Sequence, residues 1–278
     1  MRGGLLIILS LAVAACGSGG EVTGQCPADG CEIEAVADVA YVDGDTPRSS
    51  RFKPLMDVYA PVVEGPWPSV LVAPGWGMGK NSTRNWAEAL ASQGAVVFAV
   101  DYEIGPPASP TPLPYLNCAA RYVREVAGEY GGDPSRVTLL GYSLGATYGA
   151  PVSLGVDDLT PGCLASLDAA IPDAFVGYEG YVGVGDEEMA QWLATQGLGW
   201  PDATPLVGGN PDLVVRLIHG ASSEAPVAIT EEFAQILVEA GYDVDFTVVE
   251  GATHSGAEFP TSPAFDVIVD TTMDVARG

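Results

Sequence analysis

The amino-acid sequence predicts an α/β domain of three layers built on an eight-stranded, mostly parallel sheet. Three observations carry this. From about residue 69 onward, short continuous apolar runs alternate with segments of helical spacing, the pattern of strands covered on both faces by helices. Pro and Gly bound many of the apolar runs, as they bound strands. Hydrophobic residues make up 47% of the 278 positions and charged residues only 17%. That is enough for one large core and unlike a disordered acidic chain.

The elements follow in order. Glu32 to Val42 alternates as a strand does, and Leu55 to Ala60 is a second strand. Their closeness in sequence predicts an antiparallel edge. Ser69 to Ala73 lies between Pro68 and Pro74 and reads as a buried strand. Thr83 to Gln93 has helical spacing and stops at Gly94; Ala95 to Val100 is the next buried strand. A Pro-rich loop, Gly105 to Pro114, precedes a helix from about Tyr115 to Tyr130, closed by Gly131-Gly132. Arg136 to Leu140 is a strand and Leu144 to Leu154 a helix. Leu164 to Ile171, Leu213 to Ile218 and Val244 to Val249 complete the sheet, with helices at Gly185 to Gly197, Val227 to Ala240 and Pro263 to Ala276. The segment from Pro172 to Asn210 is long for a connection, and a small cap or the wall of a cleft is expected there.

The N-terminus reads as a separate segment. Met1-Arg2 is a short positive start, and Leu5 to Val13 is apolar but too short to span a bilayer as a helix. Val13-Ala14-Ala15-Cys16 then runs into Gly17-Ser18-Gly19-Gly20. Small residues before a single Cys resemble a bacterial lipoprotein signal. On that reading residues 1–15 are removed, Cys16 carries lipid, and 16–31 form a tether and N-terminal extension to a domain over 32–278. The expected location is outside the cytoplasm, lipid-anchored to the cell envelope. An ordinary secretory signal containing a Cys is the alternative.

Cys26, Cys31, Cys118 and Cys163 remain. An even number in an exported chain points to disulfides, and four cysteines allow three pairings. Cys26 and Cys31 close a short loop through Pro27 and Gly30, which leaves Cys118 for Cys163. The spacings do not suit zinc, with only two His in the chain, so no metal is expected.

The charge speaks to partners. Eleven Lys+Arg against 36 Asp+Glu give a formal net charge of −25. Such a surface repels phosphate backbones, which argues against nucleic acid.

The chemistry concentrates in Gly141-Tyr142-Ser143-Leu144-Gly145, between a strand and a helix. G-x-S-x-G in that context is a nucleophile elbow: glycines permit a tight turn, and the serine is pushed out at the positive end of a helix. A serine hydroxyl needs a base. His254 lies in the loop after the last strand, on the sheet edge where Ser143 emerges. His219, at the end of the preceding strand, reads as a histidine packed there and hydrogen-bonded to backbone. An oxyanion needs two donors. The amide of Leu144 is one, and the loop Pro74-Gly75-Trp76-Gly77-Met78-Gly79 offers the Trp76 amide as the other. Trp76, Tyr142, Trp192 and Trp200 suit an aryl or polymeric ester near the cleft, although aromatics at helical spacing are more often core packing.

These residues together resemble the α/β-hydrolase superfamily, and within it the secreted esterase, lipase and feruloyl-esterase-like group. Met56-Asp-Val-Tyr59-Ala-Pro61 is similar to the group's opening strand. Glu129-Tyr-Gly-Gly-Asp133-Pro-Ser-Arg136-Val is similar to the segment before its elbow, and Val215-Arg-Leu-Ile-His219-Gly220 to its penultimate strand. The resemblance covers about residue 52 to the C-terminus. It implies hydrolysis of a small-molecule or polymeric ester by Ser143, His254 and an acid, through an acyl-enzyme and without a cofactor. The chain departs from the group in three places. Pro74 stands where the group has His, and Ala146 where a second Gly is common. The acid position, four residues after the His-Gly strand end, falls on Ser222 or Ser223. Neighbouring Glu224 is the expected acid, with Asp173 second. A peptidase on the same fold and a non-catalytic binding lipoprotein are the rival readings.

Overall fold

The computed structural model describes residues 25–43, 53–102, 112–166, 168, 170–180, 191, 194–195 and 203–278. Among the described residues the strands are β1 Ile33–Ala40, β2 Leu55–Pro61, β3 Trp67–Ala73, β4 Val96–Val100, β5 Gly132–Tyr142, β6 Ala174–Tyr178, β7 Val214–Gly220 and β8 Asp243–Val249. They form one sheet of eight, in the order β1-β2-β4-β3-β5-β6-β7-β8. β2 runs antiparallel to β1 and β4, and every other pair is parallel. The mostly parallel sheet with an antiparallel edge is what the sequence leads one to expect.

The described helices are α1 Arg84–Ser92, α2 Leu113–Val126, α3 Leu144–Ser153, α4 Val227–Glu239 and α5 Pro263–Arg277. Side chains alternate along each strand, so the sheet feeds two cores. Val70, Val72, Val97 and Ala99 pack with α1 and α5, while Leu71, Phe98 and Leu139 pack with α2, α3 and α4. Each such Leu or Phe, removed from water, contributes about 2 kcal/mol. α3 is buried along its whole length. Its small residues permit this: a Cβ on Gly149 would stand 2.7 Å from Leu139 Cδ2. α5 begins with Ser262 accepting the Ala264 amide and Pro263 in the first turn, a capped start.

The sixth strand corrects the sequence reading. Leu164 to Ile171 is not a strand among the described residues. Leu164 is half exposed, and its amide donates to the Tyr41 carbonyl beside a single bridge between Val42 and Cys163. The disulfide at Cys163 ties this stretch to Cys118 of α2. The strand is the next apolar run, Ala174–Tyr178, buried throughout.

Two disulfides are formed, Cys26–Cys31 and Cys118–Cys163. The first closes a turn in which the Gly30 amide donates to Pro27, and the Cys31 amide donates to Ser92 at the end of α1. The second joins α2 to the stretch beside β1. Residues 1–24, with Cys16, the signal and most of the tether, lie outside the described residues. So do most of the Pro-rich loop, most of the helix expected over Gly185–Gly197, Trp192 and Trp200.

Cys118–Cys163 spans 45 residues, a loop whose closure restricts the unfolded chain by about 4 kcal/mol on a chain-entropy estimate. Replacing both cysteines with alanine is expected to lower the unfolding free energy by about 3 kcal/mol. Denaturant titration checks this, and a loss below about 1 kcal/mol would show that the bridge adds little.

Candidate active site

β5 ends at Tyr142, α3 begins at Leu144, and Ser143 between them has φ 53° and ψ −116°. A non-glycine residue rarely adopts such a backbone, and its cost is of order 1–3 kcal/mol. The flanking glycines make room for the turn. A Cβ on Gly145 would stand 2.1 Å from the Ala73 carbonyl oxygen, and one on Gly141 2.5 Å from Ala146 Cα. The Ser143 amide donates to the Tyr178 carbonyl at 2.8 Å, which stitches the elbow to the end of β6.

Ser143 Oγ lies 2.9 Å from His254 Nε2, and His254 Nδ1 lies 2.6 Å from Oε2 of Glu179. An ionised carboxylate only accepts, so Nδ1 carries the ring proton and Nε2 is left to accept from the serine hydroxyl. The loop holding His254 is pinned from below. Tyr142 donates its hydroxyl to the His254 carbonyl at 2.7 Å, and Tyr178 donates to the Thr253 carbonyl at 2.8 Å. Burial pushes both phenols well up from their ordinary value, so both remain donors. Asn85 of α1 donates to the Glu258 carbonyl at 3.0 Å and holds the far side of the same loop.

Glu179 follows β6 directly, with φ 48° and a side chain that exposes no surface. Its Oε1 accepts the Gly220 amide at 2.8 Å, and its Oε2 accepts the Ser223 hydroxyl at 2.7 Å as well as His254. Burial works to raise its pKa, but the hydrogen bonds from His254, Ser223 and Gly220 win, and the carboxyl lies below its ordinary value. Gly220 is required for this seat, because a Cβ there would stand 2.5 Å from the Ala252 carbonyl oxygen and 2.8 Å from Glu179 Oε1.

Glu179 therefore occupies the place expected for Glu224. Glu224 is exposed on the loop beyond, and the carboxylate on His254 Nδ1 is that of Glu179. Asp173 precedes β6 at the other end of the strand, where it accepts from Arg124 and the Val137 amide. The resemblance directs the expectation to the β7 loop, and a sixth strand expected at Leu164 to Ile171 makes Asp173 the first carboxylate after it. With Ala174–Tyr178 recognised as the buried run, the next residue is a carboxylate at the edge where Ser143 emerges. His219 stays apart from the serine: Nδ1 meets the Thr230 hydroxyl at 2.9 Å and Nε2 donates to the Ala225 carbonyl at 3.0 Å.

The Pro74–Gly79 loop passes beside Ser143. A Cβ on Gly75 would stand 3.2 Å from Ser143 Cβ, and the next residue is Trp76, whose side chain is 48% exposed. The end of β4 holds both ends of this loop. Tyr102 donates its hydroxyl to the Pro74 carbonyl, and the Lys80 amide donates to Asp101 Oδ1 at 2.6 Å. The Lys80 ammonium is buried between Asp57 and Asp38. Burial opposes its charge, but the two carboxylates hold its pKa above the ordinary value. Across from the loop, the amide of Leu144 is the first of α3, at the end where a helix leaves its donors unpaired.

No family model matches the chain, and neither does any curated protein sequence. Solved structures do match. A thermophilic esterase from the planctomycete Thermogutta terrifontis, with butyrate bound, superposes with a TM-score of 0.65 at 18% identity, covering 88% of this chain and 92% of that one. A truncated carbohydrate esterase from gut microbiota gives 0.61 at 20% identity, covering 92% and 100%. A bifunctional GH43-CE protein of Bacteroides eggerthii gives 0.67 at 20% identity, covering 87% of this chain and 35% of that one. The fold is the three-layer α/β-hydrolase fold.

The lowered carboxyl of Glu179 makes a stability prediction. A depressed carboxylate contributes stability above its unfolded pKa of about 4.3, lost as pH falls through the lower folded value. Glu179→Gln is expected to be less stable than wild type by about 2 kcal/mol near neutrality. The gap should close under acid. Urea titrations at the two pH values check this, and a gap independent of pH would contradict it.

Proposed function

We propose that the chain is a serine hydrolase of carboxylic esters, acting through an acyl-enzyme on Ser143 with His254 as base and Glu179 as acid. The observation that carries the reading is the run of two hydrogen bonds, 2.9 Å from Ser143 to His254 and 2.6 Å from His254 to Glu179. The esterases among the structural neighbours support it at the level of fold.

In this mechanism Ser143 Oγ attacks the ester carbonyl while its proton passes to His254 Nε2. Negative charge develops on the carbonyl oxygen and is met by the amides of Leu144 and Trp76. The tetrahedral intermediate collapses as His254 Nε2–H protonates the departing alkoxide. Water, deprotonated by the same nitrogen, then releases the acid and restores the serine. Glu179 stays ionised throughout. It fixes the Nδ1–H tautomer and stabilises the imidazolium. The substrate is read as a small-molecule or polymeric ester, with no metal or organic cofactor in any step. A non-catalytic binding role drew its motive from a missing acid, and a carboxylate on His254 removes that motive. The disulfides fit export, and lipid on Cys16 would tether the enzyme to the envelope.

Hydrolysis of a nitrophenyl butyrate checks the assignment. Ser143→Ala is expected to lower kcat by about 10⁴-fold or more, and Glu179→Gln by about 10³-fold. Glu224→Gln should remain within about twofold of wild type, since surface substitutions away from such features are close to neutral. Activity that survives Ser143→Ala would sink the proposal. Loss with Glu224→Gln but not with Glu179→Gln would return the acid to the β7 loop.

A further inference from the structure

The loop after β7 supplies no carboxylate to His254, yet it grips the carboxylate that is there. Ser223 donates its hydroxyl to Glu179 Oε2, the same oxygen that faces His254. The direction of that donation is set by the neighbouring backbone, because Ser223 Oγ accepts the Ala225 amide at 3.1 Å. Ala225 is fixed in turn: its carbonyl accepts His219 Nε2–H at 3.0 Å, and His219 Nδ1 is tied to Thr230 of α4 at 2.9 Å. The Ser223 amide closes the turn on the Gly220 carbonyl at 3.2 Å. A continuous run of hydrogen bonds thus leads from α4 through the buried His219 to Ser223, Glu179, His254 and Ser143.

We infer that Ser223 is a positioning residue for the acid, braced by His219. The inference rests on the hydrolase reading above. A glutamate has three side-chain torsions, and the Gly220 amide alone fixes only Oε1. A second donor on Oε2 fixes the plane of the carboxylate and its aim at His254 Nδ1. Ser223 also takes up part of the charge on Oε2. His219, which the reaction does not use, thereby gains a role: it holds the loop that holds the acid.

The full chain and its Ser223→Ala and Ser223→Thr variants, assayed on nitrophenyl butyrate across the acidic and neutral range, test this. Ser223→Ala is expected to lower kcat about tenfold with KM little changed. Ser223→Thr, which keeps the hydroxyl, should recover most of the rate. Should the alanine variant not fold, Ser223→Cys carries the same test, since a thiol is a weaker donor in the same space. A wild-type kcat in Ser223→Ala, or in Ser223→Cys, would overturn the brace alone. Equal activity of wild type and Ser143→Ala would overturn the hydrolase reading and this inference with it.

Discussion

A carboxylate that exposes no surface must find its donors within the protein, or it takes up a proton instead. Glu179 finds three, from three places in the chain: Gly220 at the end of β7, Ser223 in the turn beyond, and His254 after β8. Each donor requires its own strand to end at the same height as β6. The parallel register delivers that, with Tyr178 opposite Ile218 and Gly220 opposite Val249. The buried charge therefore fixes the ends of three adjacent strands relative to one another. In doing so it sets the position of His254 against the serine on β5.

The other half of the site depends on a second buried charge. Lys80 closes the loop that starts at Pro74, and its ammonium is taken up by Asp57 of β2 and by Asp38 at the irregularity in β1. Asp101 and Tyr102, adjacent residues beyond β4, take the two ends of the loop. The antiparallel edge strands, which carry no reacting group, thus anchor the loop that bears the Trp76 amide. Isolated burial of an ion is costly, and removal of one partner is costlier than replacement of both. The cluster therefore resists piecemeal change.

The sequence was legible where the signals are local. The elbow announces itself by glycines whose Cβ atoms would collide with β3 and α3, and a histidine after the last strand has few other places to go. The paired cysteines were readable from count and spacing. The carboxylate on His254 was not, because its position depends on where a strand ends. Leu164–Ile171 and Ala174–Tyr178 are both short apolar stretches, and only tertiary context separates them. Cys163 is bonded to α2 and Leu164 to Tyr41, so the first stretch is held away from the sheet. Local pattern cannot register a long-range covalent tie. With the strand expected about ten residues early, the carboxylate after it is Asp173, and Glu179 stands out only once Ala174–Tyr178 is the strand.

The length of the Glu179 side chain follows from the same geometry. His254 enters from beyond β8, and β7 lies between β8 and β6. Neighbouring strands stand about 4.8 Å apart, so a carboxylate carried on β6 must reach across the end of β7. Two features of the chain give it that reach. The left-handed backbone at Glu179 turns the residue out of the strand, and glutamate adds a methylene over aspartate. Gly220 keeps the end of β7 low enough for the carboxylate to pass, with no side chain in its way. The strained φ, the longer acid and the glycine beneath it are three parts of one solution. The serine at position 223, in the turn beyond the strand that the carboxylate crosses, supplies a donor to it rather than a charge of its own.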